Sequence, residues 1–210
     1  MIISVAHQKG GVGKTTLLYN LAAIIKPDLI IDLDPHDGLT ILNRLRDQQY
    51  NVASAKTDKE LIGLIKEYQD KTVMIDCGGF DSGVNRIAVA ASNVTIVPIQ
   101  YESMTERVGL NGYTKVLSEI SENVNRDITA HVLYYRQNSA RKDFSDTDSF
   151  IERSKHLSKF TNVLPGRAEY NNALNKHHAV VEHTTTRGSR AARELHAFVD
   201  ELLTIASIDS

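Results

Sequence analysis

Along the chain, short apolar runs rich in β-branched residues alternate with longer stretches whose apolar positions recur every three or four residues. Ile2 to Ala6, Leu29 to Leu33, Thr72 to Ile75 and Val94 to Ile99 read as strands. They are near-continuous apolar runs, as expected of strands covered on both faces. Lys14 to Ile25 reads as a helix free of glycine and proline, broken by Lys26-Pro27-Asp28. Asp81 is placed to cap a helix reaching about Ser92, and Ser103 another reaching about Ile120. Ile128 to Tyr134 adds a fifth core strand and Asn162 to Leu164 a short sixth. Residues 135–160 are the least regular part, with a helix from about Asp146 to Ser158 fitting the pattern best. From Ser189 to Ala206, the spacing of Leu195, Phe198, Val199, Leu202 and Leu203 predicts a docked terminal helix. This rhythm predicts an α/β domain with a mostly parallel sheet flanked by helices. No repeat or linker divides it, so residues 1–210 read as a single domain.

Composition narrows the class. With 41% hydrophobic and 24% charged residues the chain can bury a core and is not a disordered protein. No apolar run approaches the roughly 20 residues that cross a bilayer. The first residues lack the basic flank and cleavage site of a secretory signal. Cys77 is the single cysteine, so no intrachain disulfide forms, which fits a reducing cytoplasm. The net charge of −2 hides an uneven distribution. Residues 131–193 carry eleven basic and six acidic side chains, while residues 194–210 carry four acidic and no basic ones. Such a basic stretch is either a solvated face or a surface for nucleic acid.

The candidate chemistry begins directly after the first strand, at Lys9-Gly10-Gly11-Val12-Gly13-Lys14-Thr15-Thr16. A glycine-rich turn opening a helix lets backbone N–H groups, here from Gly11 to Thr15, approach a polyphosphate closely. Lys14 is placed to reach the β- and γ-phosphates and the Thr15 hydroxyl to ligand Mg²⁺. The strict pattern Gly-x-x-x-x-Gly-Lys-Thr fails at its first position, which is Gln8, and a second lysine, Lys9, follows. The run from His7 to Thr16 resembles the deviant Walker A motif of ParA-type ATPases. That resemblance implies a P-loop NTPase fold with ATP and Mg²⁺ bound through Lys9, Gly10, Gly11, Val12, Gly13, Lys14, Thr15 and Thr16. It also implies that Lys9 crosses to a second subunit's ATP in a nucleotide-sandwich dimer.

Two carboxylate sites follow. Asp32 and Asp34 flank Leu33 at the end of the second strand and so point to the same side of it. Carboxylates at the C-terminal ends of parallel strands lie where α/β sheets bind ligands, so one of the two can hold or orient water beside Mg²⁺. The resemblance assigns the water-positioning role to Asp34 and makes it catalytic with Lys9 and Lys14. The family has Gln where this chain has His36. Ile75-Asp76 resembles a Walker B end, an aspartate that binds Mg²⁺ usually through water. Thr15, Asp34 and Asp76 are thus the candidate metal residues, and Gly78-Gly79 resembles a phosphate-sensing switch. Cys77 excludes an iron–sulfur relative that needs two cysteine ligands per subunit.

The resemblance thins after Gln100. Arg136 and Arg167 stand where the family contacts the base or the dimer interface, and each is equally readable as a solvated arginine. Arg187, Arg190 and Arg193 lie three apart and share one face if the chain is helical from Thr186. With Lys155, Lys159 and Lys176 they are candidates for sequence-independent phosphate contacts. The resemblance implies nonspecific DNA binding near this end by an ATP-dependent homodimer. His177, His178 and His183 have no acidic or cysteine partner to complete a metal site and read as surface histidines.

The short stretch ahead of the loop leaves no room for an N-terminal DNA-binding domain, which resembles the small ParF-like partition ATPases. That resemblance implies plasmid segregation with a small centromere-binding protein, ParB- or ParG-like, that stimulates hydrolysis in the cytoplasm, on the nucleoid. Three alternatives stay open: a positioner of a protein cargo, a MinD-type membrane-recruited ATPase, and a metabolic P-loop kinase or synthetase. The MinD type needs an apolar and basic terminal helix. Here the tail carries Glu194, Asp200, Glu201 and Asp209 with no lysine or arginine, so no membrane partner is expected.

Overall fold

The computed structural model describes residues 1–79, 81–101, 104–141 and 143–208, with residues 104–107 and 208 described by backbone alone. Its elements run β1 (Ile2–Val5), α1 (Lys14–Ile25), β2 (Leu29–Asp32), α2 (Gly38–Arg44), β3 (Val52–Ser54) and α3 (Asp58–Glu67). They continue with β4 (Val73–Asp76), α4 (Gly83–Ala91), β5 (Val94–Ile99), α5 (Met104–Val124) and β6 (Ala130–Gln137). The last are α6 (Ser145–Glu152), β7 (Leu157–Lys159), β8 (Leu164–Pro165), α7 (Ala168–Leu174) and α8 (Arg190–Ile208).

The strands lie in the order β3-β2-β4-β1-β5-β6-β7, with β8 paired to the end of β6. Every pairing is parallel, so each connection crosses over a face of the sheet. Side chains alternate between two cores. Ile3, Val5, Ile30, Met74, Ile96 and Leu133 meet Leu17 and Leu21 of α1, Tyr170 of α7 and Phe198 and Leu202 of α8. Leu29, Ile31, Ile75, Val97 and Val132 meet Leu61 of α3, Val89 of α4, Leu117 of α5 and Ile151 of α6. Burial on both faces is why the strands read as apolar runs. On the first face Phe160 packs edge-on to Phe198 with ring centroids 4.8 Å apart. Such pairs add about 1 kcal/mol beyond burial.

Several boundaries differ from the sequence reading. Ser82, not Asp81, caps α4, its side chain accepting from the Asn85 N–H at 3.2 Å. The expected cap at Ser103 lies outside the described residues. The helix expected over 146–158 ends at Glu152, because Leu157–Lys159 leaves it to pair with β6 as an edge strand. The short sixth strand falls at Leu164–Pro165 rather than 162–164. The elements α2, β3 and α3, like β7, lie outside the sequence reading. Yet α3 begins with a capping box in which Thr57 and Glu60 satisfy each other's backbone N–H groups. Among the described residues, no helix is long and apolar enough to cross a membrane.

The chain runs outward from β1 on one side through β2 and β3, and on the other through β5, β6 and β7. The loop leaving β1 therefore opens at the reversal of strand order, the place where α/β sheets form a ligand crevice.

Candidate active site

The loop from His7 to Gly13 joins β1 to α1, and its backbone is shaped by two glycines in the left-handed region, Gly11 (φ 79°) and Gly13 (φ 90°). A Cβ on Gly13 would stand 2.9 Å from Tyr135 Cε1 and 3.2 Å from Arg136 Nη1, so β6 closes on the loop so tightly that only glycine fits. Around Gly10 and Gly11 the reverse holds: a Cβ there would meet nothing within 4 Å. The result is a backbone cradle backed by a packed wall and open on one side. Buried Val12 pins its floor. The opening N–H groups of α1 have no acceptor within the helix and add a favourable site for anionic oxygen.

Lys14, the first residue of α1, is buried and turns its Nζ back to the main-chain carbonyl of Lys9 at 3.1 Å. Burial lowers its pKa, and the carboxylates of Asp76 and Asp34 oppose that shift. Lys9 itself is exposed. Its N–H donates to His7 Nδ1 at 2.9 Å. Burial first, then the charges of Lys14 and Lys9, lower the His7 pKa to about 4. The imidazole is thus a neutral acceptor that shapes the loop rather than a titrating base at neutral pH.

Asp76 ends β4 with no exposed surface, and neither carboxylate oxygen has a hydrogen-bond partner among the described residues. Burial is the main reason its pKa rises to about 7. The Thr15 hydroxyl and Lys14 pull it down, while the neighbouring charges of Asp32 and Asp34 push it up. An orphaned carboxylate beside a hydroxyl and further carboxyl groups is a donor set of hard oxygens, which fits a hard divalent cation. No cluster of three or more His, Cys, Asp or Glu side chains suited to a metal exists among the described residues. A cation here is therefore of the Mg²⁺ kind, held by few protein groups and completed by phosphate oxygens and water.

The two aspartates of the Asp32-Leu33-Asp34 run separate in role. Asp32, fully buried at the end of β2, accepts from Thr40 N–H at 3.0 Å, Thr40 Oγ1 at 2.9 Å and Asp34 N–H at 3.1 Å. With its oxygens so engaged it ties the loop to α2. Asp34 lies beyond the strand, contrary to the expectation that alternation along β2 places it. A turn places it instead, and its Oδ1 accepts from His36 N–H at 2.9 Å. It is half-buried and faces Lys14 and Asp76 closely enough to act on the charges of both. Across the cradle, a Cβ on Gly79 would lie 3.2 Å from Gly10 Cα and 3.6 Å from Lys14 Nζ. The loop after Asp76 thus rests on the glycine loop itself.

Beside the cradle is a cleft of about 310 Å³ lined by Gln100, Arg136, Gly166, Arg167, Tyr170 and Asn171. Arg136 holds φ 56°, an unfavourable conformation for a side-chain-bearing residue. Its guanidinium reaches Gly13 and lies 5.8 Å from the Tyr135 ring centroid. Arg167 lines the same cleft, but Glu194 of α8 grips it with two contacts of 2.6 Å. The Tyr170 hydroxyl is buried without a partner among the described residues. Gln100, Tyr170 and Asn171 were not foreseen, because the sheet and the β8–α7 connection bring them together rather than any local motif.

The basic third is partly neutralised. Lys155 pairs with Asp127 at 2.8 Å, Lys159 with Asp148 at 2.6 Å and Arg190 with Glu194 at 2.9 Å. The chain is not helical from Thr186, so the condition for Arg187 to share a helix face with Arg190 and Arg193 is not met. The Ser189 hydroxyl accepts from Ala192 N–H at 3.2 Å and starts α8 at Arg190. Arg187 and Arg193 are exposed and pair with no carboxylate among the described residues, although Arg193 Nη1 donates to Gly188 O at 2.8 Å.

A parallel sheet, a glycine cradle at the mouth of its first strand and aspartates on the two neighbouring strand ends define a P-loop NTPase fold. The comparisons agree. A family model described as an AAA domain matches residues 1–69. The structure of apo McdA from Cyanthece is similar with a TM-score of 0.72 at 16% identity, covering 96% of this chain and 98% of that one. A putative plasmid partition protein from Borrelia burgdorferi bound to AMPPNP gives 0.71 at 14% identity, covering 97% and 98%. Cobyrinic acid a,c-diamide synthase from Mycobacterium smegmatis, with an ATP analogue and magnesium, gives 0.70 at 22% identity, covering 96% and 93%. No curated protein matches the chain.

Proposed function

We propose that this chain is a small ParA-type partition ATPase of the ParF-like kind, in which ATP joins two copies into a DNA-binding dimer and hydrolysis separates them. The observation that carries this reading is the division of labour between two lysines of one loop. Lys14 is turned inward beside Asp76, while Lys9, five residues earlier, is exposed at the mouth of the same cradle. The similarity to both a partition protein and a synthase leaves the reaction to be decided by such residues, and in this reading the exposed lysine of the loop serves a second subunit.

In this reading the N–H groups from Gly11 to Thr15 bind the phosphates and Lys14 neutralises the β–γ bridge. Mg²⁺, when bound through Thr15 and Asp76, supplies charge neutralisation for the phosphate oxygens. Arg136 lies against the nucleotide from the base side. Lys9 extends to the partner's triphosphate and stabilises the closed dimer. Asp34 orients the water that attacks the γ-phosphorus, the β–γ bridging P–O bond breaks, and ADP and phosphate leave. Arg187, Arg190 and Arg193 contribute phosphate contacts to nonspecific DNA, doubled in the dimer. A small centromere-binding protein stimulates the reaction and links it to plasmid cargo.

DNA retention measured with ADP, ATP and a slowly hydrolysed ATP analogue tests this. Binding is expected with ATP and the analogue and to be weak with ADP. Equal binding in all three states overturns the reading. Turnover dependent on a small-molecule acceptor, without any ATP-dependent dimer, would identify a metabolic enzyme instead.

A further inference from the structure

The loop that follows Asp76 is tied to the helical layer by one side chain. Arg86, in the first turn of α4, donates through Nε and Nη2 to both oxygens of Asp81, at 2.7 and 2.5 Å. Its remaining arm, Nη1, donates to Glu119 Oε2 on α5 at 2.8 Å. Asp81 stands two residues beyond Gly79, whose backbone rests on Gly10 and near Lys14 Nζ. Contacts therefore join the cradle to Gly79 and, two residues further along the chain, Asp81 to Arg86 and on to α5. The planar guanidinium fork holds Asp81 in one orientation, which an ammonium cannot do.

α5 also touches the lead-in to the cradle at its other end. Cβ atoms added to Gly109 and Gly112 would stand 4.0 Å from His7 Cε1 and 3.4 Å from Gln8 Oε1. Between these two attachments lies a pocket of about 20 Å³ bordered by His7, Cys77, Gly78, Asn85, Arg86 and Tyr113. That is room for a single water. The Tyr113 hydroxyl is buried in this wall with no hydrogen-bond partner among the described residues. Among the described residues, the Arg86 ion pairs hold this loop at its side. Beyond it, α5 turns Val108 out to solvent at 68% exposure.

From this geometry we infer that Arg86 is a positioning residue that couples the occupancy of the cradle to α5. A ligand seated at Gly10 and Lys14 meets Gly79. Movement of Gly79 and Asp81 then either carries Arg86 and α5 with it or breaks the pair with Asp81. Packing interfaces of this kind settle in discrete arrangements rather than bending continuously, so a small shift at Gly79 becomes a change in α5. The inference rests on the nucleotide-binding reading of the cradle.

The test combines equilibrium binding of a slowly hydrolysed ATP analogue with amide hydrogen exchange of α5, in wild type, Arg86→Gln, Glu119→Gln and Arg86→Lys. In wild type, analogue and Mg²⁺ are expected to slow α5 exchange about fivefold. Arg86→Gln and Glu119→Gln are expected to bind the analogue within about threefold of wild type while losing most of that change. Arg86→Lys restores it in part, since one of the two anchoring contacts to Asp81 survives. A change in α5 that persists undiminished in both Gln variants overturns the coupling and leaves the nucleotide reading standing. A wild-type chain that does not bind the analogue overturns both.

Discussion

Lys14 Nζ donates to the main-chain oxygen of Lys9 at 3.1 Å, so one lysine of the loop is spent holding the loop's own backbone while the other stays outside. Lys14 sits in a desolvated position that lowers its pKa, and the nearby carboxylates oppose that loss. A triphosphate offers the same compensation more strongly, and in the proposed function Lys14 exchanges a carbonyl for phosphate oxygens when one binds. Lys9 is exposed at the mouth of the same cradle. The two cations are therefore separable by mutation, and in the proposed function one acts within the subunit and the other beyond it.

Asp34 is the carboxylate of its pair that remains available. Asp32 is engaged by Thr40 and by the Asp34 backbone, so Asp32→Ala is expected to disorder the β2–α2 connection and lower stability. Asp34→Ala is expected to leave nucleotide affinity nearly intact and slow single-turnover phosphate release about a hundredfold or more. Wild-type release rates in Asp34→Ala would remove Asp34 from the reaction.

Gly13 tests the packed wall of the cradle. With φ at 90° and Tyr135 Cε1 2.9 Å from where a Cβ would stand, Gly13→Ala is strained in both backbone and contact. The expected cost is about 2 kcal/mol in denaturant unfolding, with nucleotide affinity reduced as well. Gly10→Ala meets nothing within 4 Å and is expected to be milder for stability.

Away from the site, Arg46 joins α2 to the segment preceding α8. It binds Glu182 through contacts of 2.9 and 2.6 Å and lies 4.1 Å from the Tyr50 ring centroid. Glu182 is still partly exposed, which screens the pair, so Arg46→Ala is expected to cost about 2 kcal/mol. Burial raises the Glu182 pKa, but hydrogen bonds from Arg46 and Ala179 N–H outweigh it and leave the pKa below the ordinary 4.5. The stabilisation is therefore complete above pH 4.5 and lost as pH falls through the lower folded value. Acid unfolding of Glu182→Gln is expected to start from a lower stability and depend less on pH in that window.

The core strands were legible because burial on both faces writes an unbroken apolar run. β3 and β7 were not, being three-residue edge strands without one. The signal for α3 lies in the Thr57–Glu60 capping-box spacing rather than in an apolar run. In the site, phosphate-facing residues were legible because a loop and a helix start are local structures. Tyr135, Tyr170 and the Asp81–Arg86–Glu119 link were not, since sheet order and helix packing join distant segments there. The terminal arginines show the opposite failure: regular spacing suggested one face, and a single capping serine, Ser189, divided it.

The central claim is that Lys9 acts across a subunit boundary. Solution mass by light scattering, with Mg²⁺ and a slowly hydrolysed ATP analogue, tests it in wild type and Lys9→Ala. Wild type is expected to double in mass with the analogue and not with ADP, while Lys9→Ala binds the analogue and stays monomeric. A Lys9→Ala chain that dimerises like wild type would contradict the account.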